Sequence, residues 1–184
     1  MATELRIRPA LPAEADALTA IALAAKRHWG YPEAWIELWR RELTYTSDSF
    51  ARLTIFCAEF AGHVVGVCSL SRDEQETPGP PDSPDLEGAT DPGGAEIEGL
   101  WITPTHMRRG IGAALMAHAV DEAGRQGARY LRIVADPYAV AFYEKLGARH
   151  IGTLASRPAG RELPVLRLEV PPCPDRVIAP REAP

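Results

Sequence analysis

Hydrophobic positions recur along the chain at two alternating periods, two residues and 3.6 residues, and each switch between them marks a boundary between strand and helix. Leu5–Pro9, LRIRP, alternates and reads as a first strand. Residues 12–28, PAEADALTAIALAAKRH, carry an apolar stripe at helical spacing, with a proline near the first turn and Glu14 and Asp16 beside the positive dipole end. Residues 32–43 place Trp35, Ile36, Trp39 and Leu43 at the same spacing and predict a second helix. Residues 52–71 read as a hairpin, two β-rich runs around Ala61-Gly62. Residues 95–103, AEIEGLWIT, form a strand that Gly99 interrupts, the mark of a bulge. A helix over 112–126, a strand over 130–135, a helix over 139–146 and strands over 148–153 and 165–170 complete the chain, with Gly127 and Gly147 at helix C-caps. This order predicts an α/β chain with a mixed sheet carrying helices on its faces.

The charge is uneven. The formal net charge is −5, yet residues 73–94 hold seven acids and no base, so the remainder has 18 acids against 20 bases, a net of +2. That segment also has five prolines and four glycines, with Leu86 as its one large apolar residue. Too little apolar surface is available there to offset ordering entropy, so a flexible acidic loop is expected. A proline-rich tail is expected at 171–184, beyond one domain spanning 1–170, since 184 residues with 46% hydrophobic content suit one core. No stretch approaches the 18 apolar residues of a membrane span, and MATELRIRPA lacks the apolar centre of a signal peptide. A cytoplasmic protein without a membrane partner is expected. Basic residues are scattered rather than clustered, which speaks against nucleic acid as a partner. Cys57, Cys68 and Cys173 show neither metal-ligand spacing nor disulfide density, so no metal is expected.

One stretch invites chemistry. THMRRGIGAALM, residues 105–116, sets two arginines and two spaced glycines between a strand and a helix whose stripe is Leu115, Met116, Ala119, Val120 and Ala123. The first turn of such a helix leaves N–H groups unpaired and carries about half a positive charge, which makes it an anion site. Gly110 and Gly112 leave room for a phosphate, and Arg108 and Arg109 add charge at its rim. A nucleotide-binding P-loop needs a lysine and a hydroxyl residue after the second glycine, and Ala113 and Ala114 stand there instead. A dinucleotide fingerprint needs a third glycine and a string of parallel strand-helix units, which this order lacks.

With EIEGLWITPTHMRRGIGAALM and AVAFYEKLGA together, the chain resembles the GNAT superfamily of acyl-CoA-dependent N-acetyltransferases, over about residues 5–170. The resemblance implies a central mixed, mostly antiparallel sheet flanked by helices, and acetyl-CoA as co-substrate. The family loop is written as arginine or glutamine, two variable residues, glycine, one variable residue, then glycine or alanine. Met107 departs from its first position, and its backbone N–H is expected to face a phosphate all the same. Tyr138 stands where many relatives carry asparagine ahead of the last helix. The implied cofactor-binding set is Leu100, Trp101 and Ile102 on the strand, then Met107, Arg108, Arg109, Gly110, Ile111, Gly112 and Ala113 in the loop, with Tyr138 and Phe142.

The resemblance also implies direct attack by an amine on the acetyl thioester. An amine with a pKa near 10.4 is mostly protonated at neutral pH and needs a base. Glu96 and Glu98 are the candidates, alternating onto one face of the strand; Glu96 matches the place of the base in similar histone acetyltransferases, and Glu98 lies closer to the bulge. Tyr143 matches the family's general-acid tyrosine for the departing thiolate. His28, Trp29 and Tyr31 lie on the segment that overhangs the acceptor pocket in similar enzymes. Three functions stay open: an N-acetyltransferase acting on a small-molecule amine, one acting on peptides or proteins, and a non-catalytic acyl-CoA-binding module. A monomer or homodimer is expected.

Overall fold

The computed structural model describes residues 4–72 and 93–172, so Cys173, the tail from 173 onward and the acidic loop apart from Gly93 and Gly94 lie outside the described residues. Seven strands form one sheet: β1 (Leu5–Pro9), β2 (Thr54–Phe60), β3 (His63–Arg72), β4 (Gly94–Ile102), β5 (Tyr130–Val134), β6 (Arg149–Ser156) and β7 (Arg161–Glu169), in the order β1-β2-β3-β4-β5-β7-β6. Every pairing is antiparallel except β4 with β5. Five α-helices flank it: α1 (Ala15–His28), α2 (Glu33–Trp39), α3 (Ser47–Arg52), α4 (Ile111–Gln126) and α5 (Val140–Lys145).

The sequence explains most of these elements. Six alanines among its fourteen residues favour α1, with Asp16 in its first turn and Lys26, Arg27 and His28 in its last, each sign facing the opposite dipole end. The β2–β3 hairpin turns on Ala61 and Gly62, both at positive φ, the two-residue geometry that matches strand twist. Gly127 ends α4 in the left-handed region at φ 88°.

Three elements differ from expectation. α2 stops at Trp39, short of residue 43, and Arg40 to Leu43 continue only as turns. α3 was not expected: its six residues contain one large apolar side chain, Phe50, too few for a period, and a capping box between Thr46 and Ser49 starts it. β7 begins at Arg161 rather than 165, through Pro164. The Pro164 carbonyl accepts from the Ala135 N–H at 2.8 Å, and a strand residue points both main-chain groups the same way. The missing proline N–H therefore falls beyond Val134, the last residue of β5 paired with β7.

Two cores lie on opposite sheet faces. Leu115, Met116, Ala119 and Ala123 of α4 and Tyr143 of α5 pack on one face with Phe56, Cys68, Ile97 and Leu131. Leu18, Ile21 and Ala22 of α1 and Ile36 and Trp39 of α2 pack on the other with Ile55, Cys57 and Val67.

Buried acids with high proton affinity make the fold sensitive to base. Burial pushes the Cys57 thiol up to about 11 and raises Cys68, Tyr45 and Tyr143 as well. Above the unfolded thiol pKa near 8.5 the unfolded chain sheds a proton that the folded chain keeps, so stability falls as pH rises. Melting temperature is expected to fall steadily from pH 8 to pH 11, and Cys57→Ala to fall less steeply over that interval. Parallel slopes for the two proteins would remove Cys57 from this effect.

Candidate active site

The sheet opens at its centre. β4 and β5 pair only from Gly94 opposite Tyr130 to Ile97 opposite Ile133, while β4 runs on to Ile102. Two features drive them apart: Glu98 is an extra residue in β4, inserted between the Gly99–Ser69 and Ile97–Leu70 pairs, and β5 follows β7 as Ala135 bonds to Pro164. Thr103 donates its N–H to Val65 of β3 at 2.8 Å. By the alternation of an antiparallel ladder, Trp101 and Gly99 also face β3, and Leu100 and Ile102 turn their N–H and C=O groups into the gap. This corrects the expectation for Trp101, whose main chain is used by β3 and whose indole lies on the α1 face.

An anion cradle stands at one end of this gap. Gly110 holds φ 80° at the N-cap of α4, and Arg108 two residues earlier holds φ 60°. Among the described residues, the N–H groups of residues 108–113 have no backbone acceptor; Ala114 makes the first helical bond, to Gly110. The first turns of α1, α2 and α3 each contain an acid, and that of α4 contains none, so its dipole is left uncompensated. A Cβ at Gly112 would lie 3.3 Å from the Phe142 ring, a tight contact. The N–H of Met107 is engaged, donating to the Pro104 carbonyl at 3.3 Å to close a 3-10 turn. That removes the phosphate contact expected of it and leaves the cradle to residues 108–113.

Tyr143 is buried beneath the gap. It belongs to the core cluster that contains Cys68 of β3, Ile97 of β4 and Ile133 of β5. Burial raises its pKa, so it holds its proton at any physiological pH. Among the described residues no side chain takes that proton in a hydrogen bond.

The family model described as acetyltransferase (GNAT) family matches residues 18–148, most of the chain. The chain belongs to the acetyltransferase (GNAT) family. No curated protein matches it by sequence. Solved structures similar to this acetyltransferase include the PaiA N-acetyltransferase of Thermoplasma acidophilum in complex with coenzyme A, 17% identical, TM-score 0.63, covering 90% of this chain and 99% of that one. The ribosomal-protein-S18-alanine N-acetyltransferase of Escherichia coli is 16% identical, TM-score 0.61, covering 95% and 99%. A GNAT family acetyltransferase of Brucella melitensis in complex with acetyl-CoA is 20% identical, TM-score 0.60, covering 93% and 91%. At these identities the likeness shows the fold. No helix of the described residues is long and apolar enough to cross a membrane.

On the α1 face of this GNAT acetyltransferase, the bulge separates the two glutamates. Glu96 is half-buried and ion-paired with Arg132 of β5, whereas Glu98 is exposed and close enough to the Tyr45 hydroxyl for its charge to be felt there. Glu98 is the residue that the bulge inserts opposite β3. The Trp101 indole folds back over Gly99, where a Cβ would lie 2.7 Å from Nε1.

Beside Trp101 lies a charged cluster that sequence reasoning missed. The Lys26 ammonium donates to Asp136 Oδ2 at 2.6 Å and sits 5.0 Å from the Trp39 ring and 5.3 Å from those of Tyr31 and Trp101. Burial lowers the lysine pKa, and Asp136 opposes the shift. Asp136 Oδ1 accepts from the Tyr31 hydroxyl at 3.0 Å and the Tyr138 N–H at 3.2 Å. Arg161 donates to Tyr31 at 3.3 Å and Ser156 at 3.2 Å, lies 3.5 Å from Asp136 Oδ2, and stacks 4.7 Å from Trp39. One signal was available: Lys26 falls four residues after Ala22 on the buried stripe of α1, an odd place for a lysine. Tyr138, expected at the cofactor, stacks on Trp29 at 5.2 Å and meets Tyr31 edge-on, so its ring belongs to this side. His28 is exposed, with its edge on Trp29 at the rim.

Proposed function

We propose that this GNAT acetyltransferase moves the acetyl group of acetyl-CoA to the primary amine of a small molecule in the cytoplasm, by direct attack with both substrates bound. The observation that carries the reading is the interior gap between β4 and β5, with a bare helix N-terminus at one end and a buried phenol beneath it. The N–H groups of residues 108–113 would hold the diphosphate, with Arg108 and Arg109 at its rim, and Phe142 would wall the cradle beside Gly112. The main chain of Leu100 and Ile102 would pair with the amides of the pantetheine arm. Acetyl-CoA supplies an activated acetyl thioester.

The chain supplies the proton transfers. Glu98 takes a proton from the entering ammonium; it is exposed at the bulge and, among the described residues, has no hydrogen-bond or ion-pair partner. Glu96 is already committed to Arg132. The Leu100 N–H holds the carbonyl oxygen as charge develops on it. Tyr143 gives its proton to the departing coenzyme A sulfur as the carbon–sulfur bond breaks, and the second proton that the nitrogen sheds on becoming an amide restores the phenol, a role suited to a group that burial keeps protonated. Trp29, Tyr31 and Trp101 would line the acceptor side, with Trp39 packed behind Tyr31, and so much aromatic surface suits a small molecule better than a peptide in extended form. A non-catalytic acyl-CoA module would have no use for a free carboxylate at the bulge together with a buried phenol.

The test is a panel of amines assayed by release of the coenzyme A thiol from acetyl-CoA. At least one small amine is expected to turn over with saturation, and peptides bearing the same amine at much lower kcat/KM. With that amine, Glu98→Gln is expected to lower kcat about a hundredfold with unchanged acetyl-CoA affinity, while Glu96→Gln costs less than tenfold. The reverse ranking would move the base to Glu96.

A further inference from the structure

The geometry points to a carboxylate-binding subsite made by Arg161 and Lys26 at the mouth of the acceptor pocket, so that the acetylated amine is carried by a zwitterion of amino-acid type. This inference rests on the acetyl-transfer reading and narrows its substrate class.

Hydrogen-bonding capacity at the cluster is one-sided. Asp136 receives three hydrogen bonds, from Lys26, Tyr31 and the Tyr138 main chain, and has Arg161 as an ion-pair neighbour at 3.5 Å. Most of its capacity is committed inside the protein. The donors, by contrast, are in excess. Lys26 has three N–H groups and, among the described residues, one acceptor; Arg161 has five and hydrogen-bonds through two, to Ser156 and Tyr31, with Asp136 as an ion-pair contact. What the cluster lacks is an acceptor.

Charge gives the same answer. Lys26 and Arg161 are two cations against the single carboxylate of Asp136, and their side chains are only 10% and 11% exposed. Glu42 faces Lys26 from beyond α2 but is exposed and lies 3.6 Å from Arg157, which offsets it. One positive charge therefore remains, held against the rings of Trp39 and Tyr31 in a place that water reaches poorly. The Lys26 ammonium lies 5.3 Å from the Trp101 ring, and the same indole folds back over Gly99, next to the exposed carboxylate of Glu98 at the bulge. A cationic cluster and a carboxylate thus stand near one aromatic side chain. A molecule with an ammonium for Glu98 and a carboxylate for the Arg161–Lys26 pair matches both, whereas a plain amine leaves the buried positive charge unmatched and a polyamine adds to it. Arg161 suits this part because its guanidinium presents a planar fork to a carboxylate, and Trp39 fixes the plane.

Calorimetric titration of the full chain saturated with coenzyme A, using free amino acids and the matching α-carboxamides, separates a carboxylate site from a general amine pocket. At least one amino acid is expected to bind tenfold or more tightly than its carboxamide, the usual scale of a charge-assisted pair. Arg161→Gln is expected to bring that ratio close to one with coenzyme A affinity unchanged, and Arg161→Lys to keep part of it. If Arg161→Gln does not fold by its melting curve, the wild-type ratio and Arg161→Lys decide. Equal binding of acid and amide, binding of neither, or a preference that survives loss of the guanidinium would overturn the subsite. Thiol release with the same compounds tests the underlying reading independently: discrimination without turnover sinks acetyl transfer and keeps the carboxylate site, and equal turnover of acid and amide does the opposite.

Discussion

Tyr143→Phe is expected to lower kcat by about a hundredfold while the affinity for acetyl-CoA stays within twofold of the parent, the usual contribution of one positioned acid. The change removes one oxygen from a side chain that is 6% exposed and already packed against Phe142 at 5.0 Å between rings. Little volume is lost, and no hydrogen-bond partner among the described residues is left behind, so the melting temperature should stay close to the parent's and the loss should be catalytic. The pH profile adds a second check. Because burial holds the phenol protonated well past neutrality, the ratio of parent to variant kcat should be constant from pH 6 to pH 9. Parental kcat in the variant, with an amine acceptor known to turn over, would mean that the thiolate leaves with water as its acid.

Gly112→Asp should nearly abolish acetyl-CoA binding. A Cβ at this position already meets Phe142 at 3.3 Å, and the carboxylate beyond it would occupy the first turn of α4, where the unpaired N–H groups and the uncompensated dipole end are. An internal carboxylate there takes the place of the ligand's phosphate. Losing about two charge-assisted hydrogen bonds weakens binding on the order of a hundredfold. At a ligand concentration one hundred times the parental Kd, the parent gains about 2.7 kcal/mol of stability and the variant only about 0.4 kcal/mol. The apo variant should melt no lower than the parent, since an acid in a helix's first turn is favourable to the helix itself. A ligand-induced shift equal to the parent's would place the diphosphate elsewhere.

How far these features were legible in the sequence depended on whether they were local. The strand before THMRRGIGAALM, its glycines and the helix after it are consecutive in the chain, and all of them appear where the pattern put them. The bulge was visible because Gly99 breaks an alternating run, but the residue that the bulge adds is Glu98, and its effect on the neighbouring glutamate required the register with β3. Met107 was assigned a phosphate contact from its place in the motif, and a proline three residues earlier redirects its N–H. The Lys26–Asp136 pair spans 110 residues, and Arg161 joins Tyr31 across 130. No spacing rule reaches that far; only the lysine on the buried stripe of α1 hinted that a partner must exist. Tyr138 was read by its neighbours in sequence, whereas its ring is placed by Trp29, just past the end of α1 and far earlier in the chain.

The parting of β4 from β5 also bears on what can reach the unpaired main chain of β4. A strand with unpaired main-chain groups at the rim of a sheet invites a strand from another chain, and such rims are common starting points for aggregation. Here the unpaired length of β4 is inside the sheet, with β3 behind it and β5 and β7 diverging in front. A second polypeptide cannot approach it broadside. A slender chain entering end-on can lie along it and borrow its hydrogen bonds, so the molecule offers strand-like recognition to a small ligand while withholding it from its own kind.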